Sequence, residues 1–135
     1  MNRALLLVLL AAALASSRGI TDRWSHGDHN GWGGAFYSNI ARNYQRYGYA
    51  ETRFAPVIST GRVPSEDRRY YLTHPPGIGL AVSSSFALFG EPEWAARLVP
   101  LAFTLGSILL VFRVGERIFS SREAALVAAA LFAFA

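Results

Sequence analysis

An all-α membrane protein is the fold class this sequence predicts: transmembrane helices with a large outer loop that carries two juxtamembrane helices. Three observations predict it. The apolar residues come in blocks, at 4–15, 76–89 and 94–135, while 18–74 holds most of the polar and basic residues. One block, Trp94–Phe112, has nineteen residues, about 28 Å of helix and enough to cross a bilayer. A short link bearing Arg113, Arg117 and Arg122 follows it, as expected of a cytoplasmic turn.

Composition agrees. Of 135 residues, 52% are hydrophobic and 16% charged, against roughly 25% charged in soluble domains. Every basic residue is Arg, and the net charge is +4. The arginines are dispersed rather than run together, so a nucleic-acid partner is not expected. Cysteine is absent, which removes disulfides, a thiol nucleophile and Cys-based metal sites.

Residues 4–15 follow a basic start at Arg3. They fit a signal peptide with an Ala13-Leu14-Ala15 cleavage site, or a first transmembrane helix over 1–20. Either sends the next segment to the outer face. From Gly33 to Tyr47 the aromatic and apolar residues Phe36, Tyr37, Ile40, Tyr44 and Tyr47 recur at helical steps. Ser38, Asn39, Arg42, Asn43, Gln45 and Arg46 fill the other face, and Gly48 stands where a helix ends. This is an amphipathic helix, lying in the headgroup region or packed on a core. Residues 49–72 read as a solvated excursion. His74-Pro75-Pro76 then opens an apolar helix to Phe89, too short to span and expected to be re-entrant or interfacial. Glu91-Pro92-Glu93 restarts the chain into a second transmembrane helix over 94–114, with Trp94 and Arg97 at the outer interface and a kink at Pro100. A cytoplasmic turn over 115–123 leads to a third apolar segment, 124–135, which is too short to cross. The expectation is therefore a piece of a longer multi-pass plasma-membrane protein, with loop 21–93 on the periplasmic or extracellular side.

Chemistry concentrates at three places in the loop. In Trp24-Ser25-His26-Gly27-Asp28-His29-Asn30-Gly31, Asp28 can act as a general base or hold a divalent cation. The alternative is a solvated loop with incidental histidines. His74 precedes a helix N-terminus, where backbone amides favour a phosphate, although a structural proline turn has the same sequence. Arg97 can meet a lipid phosphate or simply snorkel.

Taken in order, Asp28-His29-Asn30-Gly31, the stretch Ala35–Tyr44, Tyr47-Gly48, His74-Pro75-Pro76-Gly77, Phe86–Gly90 and Glu93–Pro100 resemble the first third of GT-C membrane glycosyltransferases. The nearest relatives by this resemblance are the dolichyl-phosphate-mannose protein mannosyltransferases and the lipid A aminoarabinose transferases. The resemblance implies a transmembrane reading of the first segment. It also implies a polyprenyl-phosphate-linked sugar as donor, a bilayer as setting and, in some members, a divalent cation. Asp28 matches the first acid of the family's acidic motif, and His29 stands where the second acid is usual. The implied roles are Asp28 as catalytic base, with His74, Arg42, Arg97 and His29 binding substrate. A piece with two or three helices is expected to be inactive alone. Two other classes compete: a non-catalytic transporter or channel subunit, and a secreted binding module with a cleaved leader. The second leaves the spanning segment unexplained.

Overall fold

The computed structural model describes residues 3–23 and 29–134. Among these residues it is all-α: α1 (Arg3–Ser16), α2 (His29–Tyr47), α3 (Gly77–Phe89), α4 (Glu93–Phe119) and α5 (Arg122–Phe134), with one 3-10 turn at Ser65–Asp67. Extended pairing is limited to an isolated antiparallel bridge between Val57 and Tyr70. The chain divides into two parts, residues 1–20 with 100–135, and residues 21–99.

In the first part, Leu5 and Ala12 of α1, Ile108 and Phe112 of α4, and Ala125 and Ala129 of α5 form one buried cluster. Small residues let the helices close. A Cβ added to Gly115 would lie 3.1 Å from the Cα of Ala125. The α4–α5 turn is set by Ser120 in the left-handed region, φ 50°. The Ser121 hydroxyl accepts from the Ala124 amide at 3.3 Å, the expected bond of a helix cap. Glu116 faces two arginines, Arg122 at 2.9 Å and Arg113 at 3.8 Å.

α4 has 27 residues and is long and apolar enough to cross a membrane, and 22% of its most apolar stretch is buried within the protein. A core helix of a soluble domain would be covered on most sides. It continues through Pro100 and ends at Phe119, five residues past the boundary expected from sequence. Arg113 and Arg117 therefore sit on helix. α1 and α3, with 14 and 13 residues, reach only about 20 Å, less than the roughly 30 Å of hydrocarbon.

In the second part, α2 lies against α3, and Gly79 is tightly packed against α2. A Cβ there would fall 2.7 Å from Ile40 Cγ2 and 3.3 Å from the Tyr44 ring. Ala41, Val82, Phe86, Ala95, Ala96 and Val99 are the core of this part. Trp94 packs beside it, its ring 5.6 Å from Phe89. Two polar side chains here bond to backbone: Ser85 donates to the Ala95 carbonyl at 2.7 Å, and Gln45 to the Ser83 carbonyl at 2.8 Å.

Two readings of the loop change. α2 begins at His29, four residues before its apolar period becomes visible. Its polar face is not simply solvated, since Ser38 and Asn43 are buried. The segment after Gly48 is not a free excursion either, because Thr52, Val57 and Ser59 are buried. One cause accounts for both differences. The segment folds over α2 and presents backbone carbonyls, and α2 supplies the donors. Asn39 donates to Ile58 O at 3.0 Å, Asn43 to Val57 O and Ser59 O at 2.8 and 2.9 Å, Tyr44 to Phe54 O at 2.7 Å, and Arg46 and Tyr47 to Gly61 O at 2.8 and 3.1 Å. Buried carbonyls without such donors would be costly.

Candidate functional site

His74 lies in the turn that precedes α3. Pro75 and Pro76 cannot donate backbone bonds, and Leu80 N–H to Pro76 O, at 3.0 Å, begins the helical ladder. The amides of Gly77, Ile78 and Gly79 thus have no acceptor within the helix, and the helix dipole adds partial positive charge there.

An aromatic row fixes the imidazole. Tyr71 stacks on His74 with centroids 5.3 Å apart, and its hydroxyl lies 2.6 Å from Nδ1. Tyr71 meets Phe36 edge-on at 5.2 Å, and Phe36 stacks on Trp32 at 5.1 Å. The row joins the His-Pro-Pro turn to the first two turns of α2. When the Tyr71 hydroxyl donates to Nδ1, the proton of the neutral ring resides on Nε2, which is then a donor toward an anion.

Beside His74 is an open groove of about 510 Å³, lined by Arg53, Phe54 and Pro56 on one side and Leu72, His74 and Pro76 on the other. Arg53 and Phe54 are both left-handed, with φ 53° and 58°. Neither is a Gly or Asn, the residues that adopt this conformation readily, so sequence gives no sign of the turn. Tertiary contacts hold it: the Phe54 carbonyl accepts from Tyr44, its amide donates to Tyr49 O at 2.9 Å, and its ring stacks on Tyr49 at 6.2 Å. Left-handed non-Gly residues persist only where surroundings over-determine them, and they concentrate at ligand clamps. Sequence reasoning does not find Arg53 and Phe54 for this reason. Phe54 and Leu72 of the lining are exposed and apolar beside the Arg53 guanidinium. The groove therefore combines positive charge with greasy rims, a chemistry suited to a phosphate that carries a hydrocarbon chain.

Of the other candidates, Asp28 and His26 lie outside the described residues. His29 is the first residue of α2. Arg42 Nε donates to Glu91 Oε2 at 2.8 Å, with its guanidinium carbon 5.7 Å from the centre of the Phe86 ring. Arg97 donates to the Asp22 carbonyl. His74 and Arg53 share the groove, and Arg42 and Arg97 hold protein partners elsewhere. Among the described residues no three metal-ligating side chains converge.

Residues 73–135 match the family model of dolichyl-phosphate-mannose-protein mannosyltransferases. The match takes in just under half of the chain and supports that broad family of transferases. No curated protein and no solved structure matches the chain.

Proposed function

We propose that this chain forms the outer-face, donor-side part of a multi-pass membrane glycosyltransferase that takes its sugar from a polyprenyl phosphate. The observation that carries the reading is the family match beginning at Thr73, at the threshold of the His74 turn. The aromatic row that joins the His74 turn to the first two turns of α2 supports it.

The proposed step is a substitution at the anomeric carbon. An acceptor oxygen or nitrogen attacks that carbon as the bond to the phosphate oxygen breaks. The polyprenyl phosphate leaves with the bonding pair. Asp28 receives the acceptor's proton as general base. His74 and Arg53 donate to the departing phosphate, whose charge grows as the bond opens. The exposed rings and aliphatic side chains around the groove receive the first isoprene units.

The test uses membranes holding the complete gene product, a radiolabelled polyprenyl-phosphate sugar, and lipid and protein acceptor fractions from the same cells. Transfer by Asp28→Asn should fall at least about a hundredfold, the usual contribution of a general base. His74→Ala should cost about tenfold, the loss of one hydrogen bond to a charged group. An arm with a chelator reports whether a divalent cation takes part. Transfer undiminished in Asp28→Asn removes that residue as base. Absence of transfer from every polyprenyl donor, with all acceptor fractions present, defeats the reading.

A further inference from the structure

A second depression, of about 430 Å³, lies in the same part of the molecule and shares no lining residue with the groove at His74. It is walled by Arg46, Tyr47, Glu51, Arg62, Val63, Pro64 and Arg68. Three guanidinium groups thus face one carboxylate.

The arginines are held differently. Arg68 has a side chain 9% exposed, and its Nη1 lies 2.7 Å from Glu51 Oε1. Its guanidinium stacks over the Tyr47 ring, 4.0 Å from the centroid. Yet its Nε is buried with no hydrogen-bond partner. Arg46 is held by neutral groups, Asn43 Oδ1 at 2.7 Å, Gly61 O at 2.8 Å and the Tyr47 ring 6.0 Å away, and it has no carboxylate partner among the described residues. Arg62 is exposed and has no ion pair among the described residues. Tyr47 itself is locked by the Gly61 carbonyl and the Val63 amide.

A purely structural role for these arginines leaves one fact without cause. A bracing arginine normally satisfies every buried N–H, and the orphaned Nε does not fit. Arg46 and Arg62 are exposed, so water screens their repulsion, but the three guanidinium groups concentrate positive potential in one depression. Glu51 offsets Arg68, which leaves the charge of Arg46 and Arg62.

We propose that this depression is a binding site for a phosphate or diphosphate group. Planar guanidinium forks match phosphate oxygens, and a group of two negative charges balances the two uncompensated cations. The depression is open to solvent and has room for a phosphate attached to a larger molecule. Its source is either a soluble phosphorylated compound or an anionic lipid headgroup. The proposal does not depend on the glycosyltransferase reading.

The experiment follows arginine Nε–H resonances in the whole chain, held in phosphatidylcholine nanodiscs and titrated with inorganic pyrophosphate. The Arg62 and Arg68 signals should shift saturably, and that of Arg122, which is paired with Glu116 in the other part of the chain, should stay put. Arg62→Gln, an exposed site whose change leaves the packing intact, should weaken the apparent affinity about tenfold, as expected for one lost charge-assisted bond. Nanodiscs containing phosphatidylglycerol form the second arm. The same shifts there without pyrophosphate identify a headgroup as the source and support the site. Signals of Arg62 and Arg68 that move in neither arm, or an Arg68 signal that saturates equally in Arg62→Gln, overturn the proposal.

Discussion

Tyr44 shows how much one side chain of the loop is asked to do. It is 1% exposed, donates to the Phe54 carbonyl and stacks on Tyr49 at 5.6 Å. Burial raises its hydroxyl pKa above the ordinary 10.0. The fold therefore disfavours the phenolate more than the unfolded chain does. Its contribution to stability is complete below pH 10 and declines as pH climbs from there through the raised folded value. Tyr44→Phe should cost about 1–3 kcal/mol at neutral pH, because the Phe54 carbonyl loses its donor. It should also flatten the alkaline decline. Thermal unfolding in detergent at pH 8 and pH 11 checks both, and an equally steep decline in the variant refutes the role. Arg42 shows the limit of reading single residues. Its partner Glu91 is 49 positions away, and no local pattern distinguishes an arginine that awaits a phosphate from one already paired.

At the scale of elements, helices are legible because burial imposes a period. The recurrence of Phe36, Ile40, Tyr44 and Tyr47 marks α2, and Pro75-Pro76 and Gly90 bound α3, with Gly90 in the left-handed region at φ 81°. What α2 does with its polar side is not legible. An Asn facing water and an Asn gripping a carbonyl are the same letter. Nor does any pattern reveal that Arg53 and Phe54 make a left-handed turn beside His74. The α2–α3 crossing gives a sharp test. Gly79→Ala puts a methyl 2.7 Å from Ile40 Cγ2, and such overpacking costs about 1–3 kcal/mol. Gly77→Ala, where nothing lies within 4 Å, should be neutral or slightly stabilising. Equal unfolding temperatures for the two variants would show that the helices part more easily than this packing implies.

For the whole molecule, the proposed membrane topology is read by thiol labelling, because the sequence contains no cysteine. A thiol introduced at one position is the only thiol. In intact cells, Thr60→Cys should react with a membrane-impermeant maleimide. Ser120→Cys, in the turn after the 27-residue α4, should react only after permeabilisation. The reverse pattern would invert the topology, and equal reaction of both without permeabilisation would remove the span.

The grip of α2 on the loop has a consequence for how such a protein can diverge. Asn39, Asn43, Tyr44, Arg46 and Tyr47 all bind main-chain oxygens, and every amino acid supplies one. Where the helix grips it, the loop's shape therefore does not depend on side chains that face outward. Arg53, Thr60 and Arg62 project from it exposed, and exchanging them leaves each of those bonds in place. Lineages that keep the helix are free to rewrite the lettering of the loop, acquiring new ligands by substitution while the scaffold is inherited unchanged.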